Sequence, residues 1–166
     1  MRILLMLMAG RRRRRPRSIG LDQVVEPYYV LQDAGAEVVV VSGLGGDPPF
    51  RRPHRRSARA VAALERFRGD RQARDAISDT LAFAQIFPED FDGGVCIGAL
   101  EERAGNDDAV ACLQLMTALL ASGKPAAIVP SDLFEPQAPL DGLLITGDRA
   151  RSPRLAAKAL LAALDG

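Results

Sequence analysis

Hydrophobic residues occur along this chain in short continuous runs, separated by longer segments in which they recur every three or four positions. Such runs are typical of strands buried on both faces, and the longer spacing is typical of helices with one buried face. The runs predict strands at residues 3–8, 37–41, 94–97, 125–129 and 143–146. The helical spacing predicts helices at residues 22–34, 57–67, 72–77, 106–121 and 152–164. Residues 80–86 are predicted to form a short edge strand.

This alternation of strands and helices predicts a three-layer α/β sandwich with a mostly parallel sheet. The 166 residues, 48% of them hydrophobic and 26% charged, suit a single domain over residues 1–166. No stretch reaches the roughly 18–20 continuous apolar residues of a membrane span, so no membrane association is expected. Only Cys96 and Cys112 are present, each in an apolar stretch, which indicates a reducing compartment and a cytoplasmic protein.

The net charge of +1 hides an uneven distribution along the chain. Residues 1–75 hold 16 Arg against 8 acidic residues, whereas residues 76–166 hold 6 basic against 13 acidic residues. Five consecutive arginines run from Arg11 to Arg15. Such runs often bind phosphates or nucleic acid, but this one has no interleaved aromatic residue and no nucleic-acid-binding motif beside it. Solvated loops that balance the acidic half of the chain are the favoured explanation, and binding of nucleic acid or another polyanion is the less favoured alternative.

Six short motifs occur in order on the predicted elements. They are EPYY at residues 26–29, DAGAEV at 33–38, GGDPP at 45–49, DFD at 90–92, IG at 97–98 and DGLLITG at 141–147. Together they resemble the PfpI/ThiJ family of the class I glutamine amidotransferase-like superfamily, in particular its chaperone and glyoxalase-like branch. The resemblance spans most of the chain and implies a flavodoxin-like core, with homodimers common among the related proteins.

The resemblance also implies a nucleophilic cysteine on the sharp turn after the strand at residues 125–129, but this chain has Pro130 there. Proline has no nucleophile, no ionisable atom and no backbone N–H, so thiol chemistry from this position is impossible. The family's glutamate, four residues before the Pro-Tyr-Tyr sequence, corresponds to Gln23. An amide forms hydrogen bonds but does not exchange a proton at neutral pH.

Two further positions depart from the family pattern. Ser131 stands where the histidine after the nucleophile is expected, and the expected glycine pair reads Gly98-Ala99. The segment between the turn and the last strand is also short, which implies that part of the pocket wall is missing.

These changes predict a protein without catalysis that binds a small polar or anionic ligand or assembles with itself or a partner. The expected ligand site lies at the carboxyl ends of the strands. Its predicted members are Asp22, Gln23, Cys96, Gly98, Ala99 and Ser131.

The alternative is an enzyme with rebuilt chemistry, a hydrolase or lyase that uses Cys96 or Asp22 on a small carbonyl or amide substrate. A serine hydrolase based on Ser131 is disfavoured, because the only histidine, His54, lies far away in an arginine-rich segment. A cysteine within a strand is more often a small buried residue than a reactive thiolate, and Cys112 is expected in the core. No metal or other cofactor is expected, because the sequence contains no ligand spacing typical of a metal site.

Overall fold

The computed structural model describes residues 1–8, 19–51, 57–98, 107–129, 140–147 and 152–166. Its strands are β1 (Arg2–Met8), β2 (Ile19–Gly20), β3 (Glu37–Ser42), β4 (Phe50–Arg51), β5 (Leu81–Ala82), β6 (Gly93–Gly98), β7 (Ala126–Val129) and β8 (Leu144–Thr146). Its helices are α1 (Leu21–Asp33), α2 (Ala58–Gly69), α3 (Arg71–Ser78), α4 (Asp107–Ala121) and α5 (Ser152–Asp165). Within these described ranges, no helix is long and apolar enough to cross a membrane.

Six of the strands form one parallel sheet in the order β5-β3-β1-β6-β7-β8. The chain builds outward from β1 to β5 on one side and then from β6 to β8 on the other. The boundary between β1 and β6 is therefore the point at which the direction of strand addition reverses. Ligands of open α/β sheets bind outside the carboxyl ends of the strands at such a point.

Alternate residues of β1 point into two separate hydrophobic clusters, one on each face of the sheet. Ile3, Leu5 and Leu7 contact the first cluster, which holds buried residues of α1, α2, α3 and α5. Leu4 and Met6 contact the second cluster, which is formed mainly by α4. Helices thus cover both faces, and the predicted three-layer, mostly parallel, flavodoxin-like α/β fold is confirmed.

The prediction of one edge strand over residues 80–86 is wrong in its length. Only Leu81 and Ala82 pair with β3, and the chain then enters a 3-10 turn at Phe83–Gln85. The Gln85 side chain accepts a hydrogen bond from the Ala82 N–H at 2.8 Å, which closes this turn while Phe83 is buried. The separate two-stranded pairing of β2 with β4 was not predicted.

A polar cluster joins the first three helices on the outer side of the first hydrophobic cluster. The Tyr29 hydroxyl of α1 donates to the Asp70 carboxylate at 3.1 Å, and that carboxylate also accepts from the Ala73 N–H at 3.0 Å, capping α3. The Arg66 guanidinium lies 3.9 Å from the centre of the Tyr29 ring and pairs with Asp33 at 2.8 Å. Burial and the hydrogen bond to Asp70 raise the pKa of Tyr29 from 10.0 to about 12.

This pKa shift predicts a loss of stability in alkali. The folded protein holds the Tyr29 proton more tightly than the unfolded chain, so the stabilisation is complete below pH 10.0 and is lost as the pH rises towards about 12. We expect the free energy of unfolding to fall over this interval, and to fall less in a Tyr29→Phe variant. The tyrosinate absorbance of the native protein should rise at higher pH than that of the denatured chain, and the difference between the wild type and Tyr29→Phe separates Tyr29 from Tyr28, the other tyrosine of the chain. Coincident native and denatured titrations would contradict the assignment.

Candidate functional site

The candidate site lies at the carboxyl edge of the sheet, where the ends of the two central strands meet. Met8, the last residue of β1, is paired in register with Gly98, the last residue of β6. The adjacent strand β7 ends at Val129. Helix α1 ends beside the start of β3, so its first turn lies towards the same carboxyl edge. The strand reversal point and the first turn of α1 therefore share one edge of the molecule.

Gly98 is held in a backbone conformation that L-amino acids rarely adopt, with φ of +130°. A Cβ atom at this position would lie 2.3 Å from the carbonyl oxygen of Met8. Both observations require glycine, because any side chain adds backbone strain and overlaps the neighbouring strand. The glycine predicted as a site residue thus has a structural reason to be there.

Gln23 lies in the first turn of α1, and its side chain caps the start of the helix. Its Oε1 atom accepts a hydrogen bond from the backbone N–H of Gly20 at 3.1 Å. Gly20 precedes the helix in an extended conformation, with φ of −67° and ψ of 132°. This is one half of a capping box, in which the Gln23 amide oxygen satisfies a backbone N–H at the start of the helix.

Asp22 is partly exposed and also lies in the first turn of α1. One turn further along the helix is Glu26, a partly buried carboxyl group whose pKa is raised by burial and by the charge of Asp22. The positive charges of Arg154 in α5 and Arg59 in α2 lower the pKa of this carboxyl group. Sequence reasoning used Glu26 only as part of a motif, although its four-residue spacing from Asp22 could have indicated the interaction.

Cys96 lies on the other side of the sheet from Asp22 and Gln23. Its side chain is fully buried in the second hydrophobic cluster, and its Sγ lies 3.4 Å from the Sγ of Cys112 in α4. The expected core position of Cys112 is confirmed, since this residue is also fully buried. The structure therefore places Asp22 and Gln23 on one helix, but it does not bring Cys96 to them.

Three predicted site positions, Ala99, Pro130 and Ser131, lie outside the described residues, as do His54 and the run from Arg11 to Arg15. In the part of the chain that is described, no group of three or more His, Cys, Asp or Glu side chains is arranged to hold a metal ion.

No family model matches the chain, and no curated protein does so. Solved structures do match it over nearly its whole length. Glyoxalase III from Candida albicans superposes with a TM-score of 0.68 at 14% identity, covering 98% of this chain and 96% of that one. A ThiJ/PfpI domain protein from Brachyspira murdochii gives 0.59 at 12% identity, with 99% and 96% covered.

Oxidised DJ-1 from Toxoplasma gondii superposes with a TM-score of 0.56 at 16% identity, covering 98% of this chain and 90% of that one. At such low identities, structural similarity establishes the fold only. Any chemical activity has to be inferred from the residues of this chain. The chain therefore has the fold of the solved ThiJ/PfpI and DJ-1 structures.

Proposed function

We propose that this protein is a non-catalytic relative of the PfpI/ThiJ proteins that binds a small polar or anionic ligand at the carboxyl edge of its sheet. The binding protein acts as a homodimer or with a partner, as the family resemblance implies. Catalysis of the family type is absent, because the residues that would move protons and attack the substrate have been replaced.

The observation that carries the proposal is the role of Gln23. Its side-chain oxygen accepts the Gly20 N–H at 3.1 Å, so the family's glutamate position holds a neutral group engaged with the backbone. The sequence adds Pro130 at the position of the nucleophile. A proton acceptor and a nucleophile are both required for covalent catalysis of this kind, and neither is available at these two positions.

The similar structures support the fold of the proposed site. One of them is named a glyoxalase, so this architecture is compatible with catalysis in a protein that carries the necessary residues. In this chain the same edge retains Gly98, with its close approach to Met8, and the helix-capping side chain of Gln23. A fixed backbone conformation with polar groups beside it is suitable for binding a small polar ligand.

The proposal predicts no turnover of methylglyoxal, simple esters or peptides above the buffer rate by the purified protein. A Gln23→Ala variant should be as inactive as the wild type. The matched control is Gln32→Ala, which changes the same residue type in the last turns of the same helix. Wild-type turnover that disappears in Gln23→Ala and persists in Gln32→Ala would show catalysis at this edge and refute the proposal.

Ligand binding is tested with inorganic phosphate and lactate as probes, at constant ionic strength. The thermal unfolding midpoint should rise with probe concentration, because a ligand that binds only the folded state stabilises it. The rise should be smaller in Gln23→Ala than in Gln32→Ala. Light scattering should give twice the 17.8 kDa chain mass for a homodimer. A monomer that responds to neither probe would contradict the proposal.

A further inference from the structure

Two cysteines that are 16 residues apart in sequence face each other in the second hydrophobic cluster. Cys96 lies in β6 and Cys112 in α4, and their Sγ atoms are 3.4 Å apart. Both side chains are fully buried. Each is a free thiol in the described structure. The two sulfur atoms are thus in direct contact without a covalent bond.

The two sulfur atoms need to approach only a short distance to form a disulfide. A disulfide has a sulfur–sulfur bond of about 2.05 Å, so the two Sγ atoms must approach by roughly 1.4 Å. Strand β6 and helix α4 already pack against each other through the second cluster, which holds both cysteines. Rotation of the two side chains, with a small shift of α4, would provide this approach.

We propose that Cys96 and Cys112 form an oxidisable dithiol, which hydrogen peroxide converts into an intramolecular disulfide. One thiol loses its proton and attacks a peroxide oxygen; the O–O bond breaks, giving a sulfenic acid and one water. The second sulfur then attacks the sulfenic sulfur, the S–O bond breaks, and the hydroxide leaves as a second water with the remaining thiol proton. Two thiols and one hydrogen peroxide thus give one disulfide and two waters.

The apolar surroundings favour a disulfide over a long-lived thiolate. A disulfide is neutral, whereas a buried thiolate has no compensating cation among the described residues of the second cluster. The hydrogen bond to Cys96 and burial raise the pKa of Cys112, so the Cys112 thiol stays protonated and reacts slowly. Hydrogen peroxide is small and uncharged, so it can reach the buried pair during brief local opening of the structure.

The bond would join β6, a strand of the candidate site edge, to the next helix of the chain, α4. Cys96 lies two residues before Gly98, and the cross-link would close the chain between β6 and α4 into a covalent loop. Closing a loop lowers the entropy of the unfolded chain and so stabilises the folded state. Oxidation would therefore fix the end of β6 against α4. This inference is independent of the proposed binding function.

The test treats the full chain with hydrogen peroxide, removes the oxidant with catalase, and alkylates the remaining thiols after denaturation. We expect both thiols to disappear together, the mass to fall by two hydrogens, and the peptides containing Cys96 and Cys112 to be linked until dithiothreitol is added. Two alkylated thiols, a cross-link between two chains, or oxidation confined to Met6 would refute the proposal. Met6 is the relevant competitor, since its Sδ lies 3.9 Å from the Sγ of Cys112.

A Cys112→Ala variant is the matched control, because it leaves Cys96 in place without its partner. Its sulfenic acid should be trapped by dimedone under the same treatment, and no disulfide should form.

A second measurement needs no variant. The thiol–disulfide equilibrium constant in glutathione buffer should be at least about tenfold larger for the folded protein than for the denatured chain. An equal or smaller constant in the folded protein would show that the fold opposes the bond.

Discussion

Replacing Gly98 by alanine is expected to destabilise the protein by about 3–5 kcal/mol, as the sum of backbone strain and steric overlap. The strain arises because φ is +130° at this residue. The overlap arises because the new Cβ would lie 2.3 Å from the Met8 carbonyl oxygen, and a backbone atom in the middle of a sheet has little freedom to move. Urea denaturation followed by circular dichroism measures the change in the free energy of unfolding.

Gly35→Ala is the matched control for this substitution. Gly35 also has a positive φ of 80°, but no heavy atom lies within 4 Å of a Cβ built there. Its replacement should therefore cost only the backbone term, roughly 1–2 kcal/mol. Equal losses for the two variants would show that the approach between β1 and β6 contributes nothing, and would contradict the role given to Gly98 at the site edge.

Gly142→Ala is expected to cost about 3 kcal/mol for steric reasons alone. A Cβ at Gly142 would lie 2.3 Å from the Lys124 carbonyl oxygen and 2.9 Å from that of Leu120. The Gly142 N–H donates to the same Leu120 oxygen at 2.8 Å, so the segment before β8 is fixed against the end of α4. Relief of the overlap requires loss of this hydrogen bond.

The control for Gly142 is Gly69→Ala at the end of α2. No heavy atom lies within 4 Å of a Cβ built at Gly69, and alanine is preferred over glycine in helices by roughly 0.5–1 kcal/mol. Gly69→Ala should therefore leave stability unchanged or raise it slightly. Chemical denaturation of both variants compares the two; a Gly142→Ala protein as stable as the wild type would show that the chain before β8 moves freely away from α4.

The parts of the fold that sequence reasoning predicted are those in which one local pattern matches one buried surface. The run at residues 3–8 became β1 because both of its faces are covered, and α1 follows from apolar positions such as Val24, Tyr28 and Leu31. The pairing of β2 with β4 could not be predicted, because two residues carry no periodicity. Residues 80–86 do not form the predicted single strand, because the hydrogen bond of the Gln85 side chain competes with strand pairing.

The candidate site was predicted less completely than the fold. The position of Gln23 near the start of a helix follows from periodicity, but its acceptance of the Gly20 N–H depends on a backbone conformation that no pattern specifies. Cys96 and Cys112 appeared unrelated in sequence. Their contact depends on which face of β6 the Cys96 side chain occupies and on the rotation of α4 about its axis. Both are properties of tertiary packing.

The outermost strands of the parallel sheet are very short, with two residues in β5 and three in β8. Strands of this length offer few free N–H and C=O groups to another polypeptide, so a dimer that extended the sheet from one molecule into the next would gain only a handful of hydrogen bonds. Among the described residues, helix surfaces and loops therefore offer more binding energy for self-association than these strand edges do. The short lengths of β5 and β8 also disfavour aggregation through pairing of these two strand edges.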